Sequence, residues 1–237
     1  MTDAFDTARV LALDTATEKV TVALALAEGV DAMASHEANR HTENVLEMVD
    51  SLLKKHGLAL TDLDAVAFGA GPGAFTGLRV ACGVAQGLAW AKDVPLVAVG
   101  NLEAAAERAR REGVRGRLLC ANDARMNECY CAVFDLTDEG VGKVQGECLV
   151  KPEALGAFCA EFAVAAVIGN ALAAYPTASI SDDIARFDSV ADAADIALTA
   201  RVLLKEGRTV PPAAAAPLYV RDRVALTIDE RARGEKL

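Results

Sequence analysis

Hydrophobic positions in the first hundred residues follow two different spacings, and the change from one to the other predicts alternating strands and helices. Residues 9–14 and 20–26 are short apolar runs, and the connection between them has the length of a hairpin turn. From residue 42 to residue 57 the apolar positions recur every three or four residues, which predicts an amphipathic helix. A strand at 63–68, a helix at 75–91 and a strand at 96–99 follow. The order ββαβαβ predicts an antiparallel hairpin joined to right-handed crossovers.

The alternation of strands and helices continues in the second half of the chain. The predicted elements are a helix at 102–111, strands at 117–122, 128–136, 146–150 and 165–168, a helix after residues 151–153, and a helix at 191–206. Residues 208–237 contain three of the seven prolines and predict an extended C-terminal strap. The chain therefore divides into an N-terminal lobe (1–103), a second α/β lobe (104–207) and the strap (208–237), which we expect to return to the first lobe.

The amino-acid composition limits the kinds of protein that this chain can be. Of the 237 residues, 53% are hydrophobic but only 5% are aromatic, so alanine and aliphatic side chains must fill the core. The net charge of −10 disfavours a stand-alone nucleic-acid binder, because the chain as a whole repels polyphosphate. Six cysteines lie mostly within apolar runs, and residues 1–8 have no secretory pattern. We therefore expect a reduced, cytoplasmic protein with no membrane span.

A glycine-rich segment at residues 69–79 joins a predicted strand to a predicted helix. This arrangement places free N–H groups at a positive helix end, where proteins often bind anions. The segment matches neither the P-loop pattern nor the dinucleotide fingerprint, and a tight turn that admits the helix explains it equally well. Asp14, Thr15 and Thr17 end the first strand, where they are able to meet phosphate and Mg²⁺, although ordinary turn chemistry favours the same residue types.

The helix at 75–91 contains several glycines. Gly77, Gly83 and Gly87 are helical neighbours, and each interior glycine costs about 1 kcal/mol relative to alanine. Close approach of another helix is the usual compensation. That helix belongs either to the same lobe or to another subunit.

Isolated polar residues carry weaker signals. The three histidines form no zinc motif, and His41, next to the start of the first helix, is a polar cap or an interface contact. Cys129 and Cys131 share one face of a strand but lack further ligands at metal-binding spacing. One basic cluster is present, and it is either a solvated helix end or an RNA-facing patch. Its possible RNA-facing residues are Arg108, Arg111, Arg115 and Arg117.

Six short motifs occur along the chain in a fixed order. They are LALDTAT at 11–17, RHT at 40–42, GPGAFTGLR at 71–79, QGL at 86–88, NDARM at 122–126 and PLYVR at 217–221. In this order they resemble the TsaB (YeaZ) family of bacterial tRNA threonylcarbamoyladenosine biosynthesis proteins, which belongs to the glycoprotease-like proteins. The resemblance implies a two-lobed, actin-like and sugar-kinase-like (ribonuclease H-type) α/β fold.

The resemblance also implies a role beside a larger catalytic paralogue, TsaD. That paralogue transfers a threonylcarbamoyl group to N6 of adenosine 37 in tRNAs that read codons starting with A, and an ATPase subunit, TsaE, joins the complex. This chain resembles the non-catalytic half, because residues 99–107 lack the paralogue's metal-binding His-x-x-x-His and residues 122–125 replace its glycine-rich strand end.

We therefore expect a degenerate phosphate site, with no cofactor or metal bound by this chain alone and with ATP and metal held by the partner complex. The residues of the degenerate site are Asp14, Thr15, Thr17, Gly71, Gly73 and Asp123. The alternative is an autonomous small-molecule kinase or ATPase of the same fold, and the nucleotide affinity of the isolated chain separates the two.

A homodimer is expected in isolation, through the same helices that dock the paralogue, because an apolar patch without its partner would otherwise lie in water. Contact with tRNA is expected only through the complex. The expected interface residues are His41, Val45, Leu46, Val49, Leu53, Leu78, Gly83, Gly87 and Trp90.

Overall fold

The computed structural model describes residues 4–36 and 41–221, together with Arg233. The first of two sheets in these residues has the strand order β3-β2-β1-β4-β5. Its strands are β1 (Val10–Asp14), β2 (Val20–Leu26), β3 (Gly29–Ser35), β4 (Ala65–Gly71) and β5 (Leu96–Gly100). β1 pairs antiparallel with β2 and parallel with β4, as the predicted hairpin followed by crossovers requires.

The second sheet has the strand order β10-β9-β6-β7-β8. Its strands are β6 (Gly116–Asp123), β7 (Cys129–Leu136), β8 (Val141–Val150), β9 (Ala166–Ile168) and β10 (Ala185–Phe187). The helices of the described residues are α1 (His41–Lys55), α2 (Phe75–Lys92), α3 (Asn101–Arg111), α4 (Leu155–Glu161), α5 (Ala171–Ala174) and α6 (Ala193–Lys205). Both lobes thus combine a central parallel pair with an antiparallel edge, and the predicted mixed α/β class is confirmed.

Helices cover both faces of the first sheet, which explains why its central strands are apolar throughout. Leu11 and Leu13 of β1 pack with α1 and α2, whereas Val10 and Ala12 point to the opposite face and pack with α3 and α6. The second sheet packs α3 on one face and α4 on the other. Helices α3 and α6 therefore form the layer between the two sheets.

Helix α6 packs against a different lobe from the one that its position in the sequence predicted. Sequence order assigned this helix to the second lobe, but it packs against β1, β2, β4 and β5 of the first sheet and against α3. Ile196, Ala197 and Ala200 of α6 share one buried cluster with Val97 of β5. The limits of the three regions, 1–103, 104–207 and 208–237, stay predictions.

Three strands differ from the prediction. β3 and β10 were not predicted, and β8 begins at Val141 rather than near residue 146. Both β3 and β10 lie at sheet edges, and all three residues of β10 are exposed. An exposed edge strand has no apolar face to create the alternation from which strands are recognised.

The described part of the strap, residues 208–221, runs along the first lobe. Val210 forms an antiparallel bridge with Leu96, and the Leu218 N–H donates to the Ala70 carbonyl oxygen at 2.7 Å. Residues 222–232 and 234–237 lie outside the described residues. No helix in the described ranges has the length and apolar character needed to cross a membrane.

Candidate functional site

A cleft of about 930 Å³ opens between the two sheets. The carboxyl ends of β1, β4 and β6 lead into it, which is the edge where open α/β sheets usually bind ligands. Its walls come from residues 16–19, 72–75, 122–125, 188–192 and 218–221, together with Asp14 and Asn101. The cleft therefore brings together the glycine segment, the end of the first strand and the end of β6, which the sequence analysis singled out separately.

Asp14 is held in a buried hydrogen-bond network at the base of the cleft. Its Oδ1 atom accepts from Asn101 Nδ2 at 2.8 Å, and Asn101 Oδ1 accepts from the Gly71 N–H at 2.7 Å. Burial raises the pKa of Asp14 to about 7, and the hydrogen bond from Asn101 opposes part of that rise. The carboxyl group thus ties β1 to the start of α3 and to the glycine segment.

The hairpin after β1 packs directly on the start of α2. The Thr15 hydroxyl donates to the Gly77 carbonyl oxygen at 2.6 Å, and the Ala74 N–H donates to the Ala16 carbonyl oxygen at 2.8 Å. A Cβ atom at Gly77 would overlap the Thr15 carbonyl oxygen, and one at Gly73 would lie 2.7 Å from Ala16. This hydroxyl and this N–H, two groups suited to binding phosphate, are therefore hydrogen-bonded within the chain.

Thr17 takes part in ordinary turn chemistry. Its hydroxyl accepts from the Lys19 N–H at 3.2 Å and lies 3.4 Å from the Lys19 carbonyl oxygen. Gly71 has a φ of +116°, and a Cβ there would lie 2.8 Å from the Leu218 carbonyl oxygen of the strap. Glycine is therefore required at position 71, both by the positive φ and by the close approach of the strap.

Asp123 supplies a carboxylate at the end of β6, on the second lobe's side of the cleft. Its Oδ1 atom accepts from the Tyr175 hydroxyl at 2.6 Å and from the Arg125 N–H at 2.7 Å. Desolvation and the bond to Asp123 raise the pKa of Tyr175 to about 12. The Arg125 guanidinium lies 3.3 Å from the Oδ2 atom of Asp123, so the negative charge of this carboxylate is partly balanced within the chain.

The arginines considered as RNA-facing residues all have carboxylate partners. Arg108 and Arg111 contact Asp195 of α6, at 3.4 and 3.0 Å. Arg115 contacts Asp138 at 2.8 Å, and Arg117 contacts Asp135 at 3.7 Å. Two of the four therefore link α3 to α6, and contact with RNA stays a prediction.

The exposed face of α2 includes Gly83, Gly87 and Trp90, and α1 lies alongside this helix. A Cβ built at either glycine meets no described atom within 4 Å apart from the helix's own nearby backbone. Trp90 is 69% exposed, and Leu46 of α1 is 46% exposed. Packing within the described chain therefore does not offset the cost of these two glycines.

Four of the expected interface residues are buried within the chain instead. Val45, Val49 and Leu53 of α1 are buried against the first sheet. Leu78 of α2 is buried beside Gly71, where it lines the cleft. Their assignment to an interface was wrong, because helical periodicity identifies an apolar face without identifying what it packs against. His41 begins α1, but its side chain lies outside the described residues.

Sequence reasoning missed two parts of the cleft. Asn101 follows β5 directly, and its position at the carboxyl end of a parallel strand was the available signal. Tyr219 of the strap packs against Phe75 with the ring centroids 5.2 Å apart and the ring planes tilted by 35°, and its hydroxyl accepts from Arg79 Nε at 2.9 Å. In the part of the chain that the structure describes, no three His, Cys, Asp or Glu residues are grouped as a metal site.

The sequence of this chain is similar to one family model and to several known bacterial proteins. The family model of TsaD, tRNA N6-adenosine threonylcarbamoyltransferase, matches residues 33–225. The tRNA threonylcarbamoyladenosine biosynthesis protein TsaB of Escherichia coli (strain K12) is 35% identical over 222 residues, which cover 92% of this chain and 96% of that protein. The protein of the same name from Haemophilus influenzae is 47% identical over 121 residues, about half of each chain.

Solved structures agree with the sequence relatives. YeaZ from Pseudomonas aeruginosa is 34% identical and superposes with a TM-score of 0.77, covering 90% of this chain and 100% of that one. An inorganic polyphosphate/ATP-glucomannokinase from Arthrobacter, 12% identical, gives a TM-score of 0.50 over 85% of this chain and 100% of that one. This second likeness concerns the fold alone, and it confirms the expected sugar-kinase-like architecture.

Proposed function

The chain belongs to the TsaB (YeaZ) family, and from this premise we propose that it is a non-catalytic subunit in tRNA threonylcarbamoyladenosine biosynthesis. In this role it docks a TsaD-family subunit, which transfers the threonylcarbamoyl group to N6 of adenosine 37. ATP and metal belong to that partner complex, a TsaE-like ATPase joins it, and tRNA is contacted only through it.

One observation carries the non-catalytic part of the proposal: two groups suited to binding phosphate are already hydrogen-bonded to backbone carbonyl oxygens of this chain. The Thr15 hydroxyl and the Ala74 N–H both bond to carbonyl oxygens across the hairpin contact. On the other wall of the cleft, Asp123 is hydrogen-bonded to Tyr175 and paired with Arg125. A nucleotide would have to break these hydrogen bonds, so we expect very weak binding or none.

The exposed face of α2 supports docking through this helix. Gly83 and Gly87 leave the backbone open to another helix, and Trp90 supplies a large aromatic surface of the kind enriched at interfaces. The same face would pair two copies of this chain when the partner is absent. Self-association and docking are then mutually exclusive.

The size of the cleft favours a second candidate, an autonomous small-molecule kinase or ATPase. A cavity of about 930 Å³ between two lobes is large enough for a nucleotide. Calorimetric titration of the isolated chain with ATP and Mg²⁺ separates the two. Micromolar binding together with turnover would favour the enzyme, whereas no measurable binding would favour the accessory subunit.

The docking proposal is tested by Gly87→Leu. The added side chain meets open space within the chain, so the fold is retained, but it fills the face that another helix must approach. We expect sedimentation velocity to show loss of both the homodimer and the complex with a TsaD-family protein. Gly146→Leu, also in open space but on β8 of the second sheet, is the matched control and should change neither. Unchanged assembly of Gly87→Leu would place the docking surface elsewhere.

A further inference from the structure

The strap is fastened along the first lobe by backbone and side-chain hydrogen bonds. The Gln86 side-chain amide of α2 donates to the carbonyl oxygens of Pro212 and Ala215, at 2.7 and 3.0 Å. Further along, the Leu218 N–H donates to the Ala70 carbonyl oxygen at 2.7 Å. The strap thus crosses α2 and then follows the glycine segment to the mouth of the cleft.

At the cleft mouth, the strap reaches the other lobe. The Arg221 guanidinium contacts the Glu128 carboxylate at 2.5 Å and lies 3.4 Å from the Arg125 carbonyl oxygen. The Arg221 side chain is 12% exposed and that of Glu128 is 32% exposed, so this charge pair is partly shielded from water. Such pairs are stronger than those on open surfaces.

The turn that Arg221 contacts has an unfavourable backbone conformation. Arg125, Met126 and Asn127 have φ values of +59°, +56° and +57°, in the left-handed region that residues other than glycine rarely occupy. Three such residues in succession persist only where surrounding contacts hold them. From the same turn, the Arg125 side chain contacts Glu18 of the first lobe at 3.1 Å.

We propose that the strap is a clamp that sets the opening of the cleft, and that Gln86 couples this clamp to the exposed face of α2. The layer of α3 and α6 joins the two sheets at the back of the cleft, while Arg221 joins them at the mouth. Gln86 precedes Gly87, so a chain that packs against this face lies beside the strap's anchoring point. Binding at α2 and opening of the cleft are then thermodynamically linked.

The clamp does not rest on the proposed function; only its link to a docked partner does. Hydrogen–deuterium exchange on the isolated full chain therefore tests the clamp whatever the partner is. The Ala124 and Glu128 amides, which bond across the β6–β7 turn, are the reporters. We expect Arg221→Ala to raise their exchange by about tenfold or more, because a charged hydrogen bond to the turn is lost.

Gln86→Leu provides the decisive comparison. This change lies on α2 in the first lobe. If the strap couples α2 to the β6–β7 turn, it should also raise the exchange of the Ala124 and Glu128 amides in the second lobe. Arg186→Ala, which breaks a pair with Asp182 in the second lobe, is the control and should leave both amides unchanged. Small-angle scattering should show a larger radius of gyration for Arg221→Ala, and a smaller increase for Arg221→Lys, which keeps the charge.

Two outcomes would overturn the proposal. If Arg221→Ala leaves the turn amides and the radius of gyration unchanged, the strap does not clamp the cleft. If Gln86→Leu speeds exchange at Leu218 but not at Ala124 or Glu128, the strap is only an attachment to the first lobe. Either result would leave the docking test with Gly87→Leu unaffected, so failure of the clamp is distinguishable from failure of the proposed function.

Discussion

At the scale of single residues, Asp14 makes the stability of the chain depend on pH. Burial raises its pKa from 3.8 to about 7 in the folded state, while the unfolded chain keeps the ordinary value. Between these values the folded state holds a proton that the unfolded state has released, so the free energy of unfolding falls as pH rises from about 4 to about 7. Above about pH 7 the free energy of unfolding has lost the whole contribution of Asp14, on the order of 4 kcal/mol.

Asp14→Asn should remove most of this pH dependence. Asparagine keeps an oxygen to accept the hydrogen bond from Asn101 but carries no charge to desolvate, so the variant should be more stable than the parent at pH 8. Urea denaturation at pH 5, 6, 7 and 8 measures the slopes. Asp188→Asn, an exposed carboxylate of the same cleft, is the control. An unchanged slope in Asp14→Asn would show that other groups cause the pH dependence.

At the scale of elements, the glycines of α2 separate into two kinds. A Cβ at Gly77 would overlap the Thr15 backbone, so Gly77→Ala should destabilise the chain by several kcal/mol or prevent folding. At Gly83 the same substitution meets open space and improves helix propensity, so it should stabilise the chain by about 1 kcal/mol. Chemical denaturation compares the two. Equal destabilisation by both changes would mean that Gly83 also serves internal packing.

Helix α1 supports a second matched pair. Val49 is 3% exposed in the core, so Val49→Glu buries an unpaired charge and should cost several kcal/mol of stability. Leu46 is exposed, so Leu46→Glu should leave the thermal midpoint nearly unchanged while weakening assembly through this side of the lobe. Thermal unfolding together with sedimentation velocity measures both effects. A folded, stable Val49→Glu would contradict the described packing of α1.

The helices and strands of the core could be predicted from the sequence. The edge strands, and the direction in which the apolar face of a helix points, could not. Val20–Leu26 and the periodic positions of α1 predict their elements because burial imposes the apolar pattern. Gly29–Ser35 is an edge strand with largely exposed side chains, and no such pattern marks it. The direction in which the apolar face of α1 points depends on tertiary packing, so local periodicity placed Val49 on the wrong surface.

The individual residues of the candidate site could be predicted from the sequence, but the hydrogen bonds between them could not. Asp14 and the glycine segment are marked by their positions at strand ends. That the Thr15 hydroxyl bonds to the Gly77 carbonyl oxygen, 62 residues away, depends on how the hairpin packs against α2. The contact between Arg221 and Glu128 spans 93 residues and had no local signal.

At the scale of the whole molecule, charge limits contact with RNA. The chain carries a net charge of −10, and the arginines at 108, 111, 115 and 117 already pair with carboxylates. The isolated chain should therefore not retain tRNA at physiological salt. Fluorescence anisotropy with labelled tRNA measures this. Tight, salt-sensitive binding that Arg115→Gln and Arg117→Gln abolish, and the control Arg186→Gln does not, would contradict the expectation.

The rate of threonylcarbamoylation of tRNA by a complex reassembled from purified subunits tests the central claim most directly. If the chain acts by docking, its omission should abolish modification, and Gly87→Leu should lower the rate by about tenfold or more at limiting subunit concentration. Asp14→Asn and Asp123→Asn should leave the rate of the assembled complex unchanged, because in the proposed role neither carboxylate takes part in chemistry. Loss of modification in a complex that still assembles with Asp14→Asn or Asp123→Asn would show that this chain supplies catalytic groups of its own.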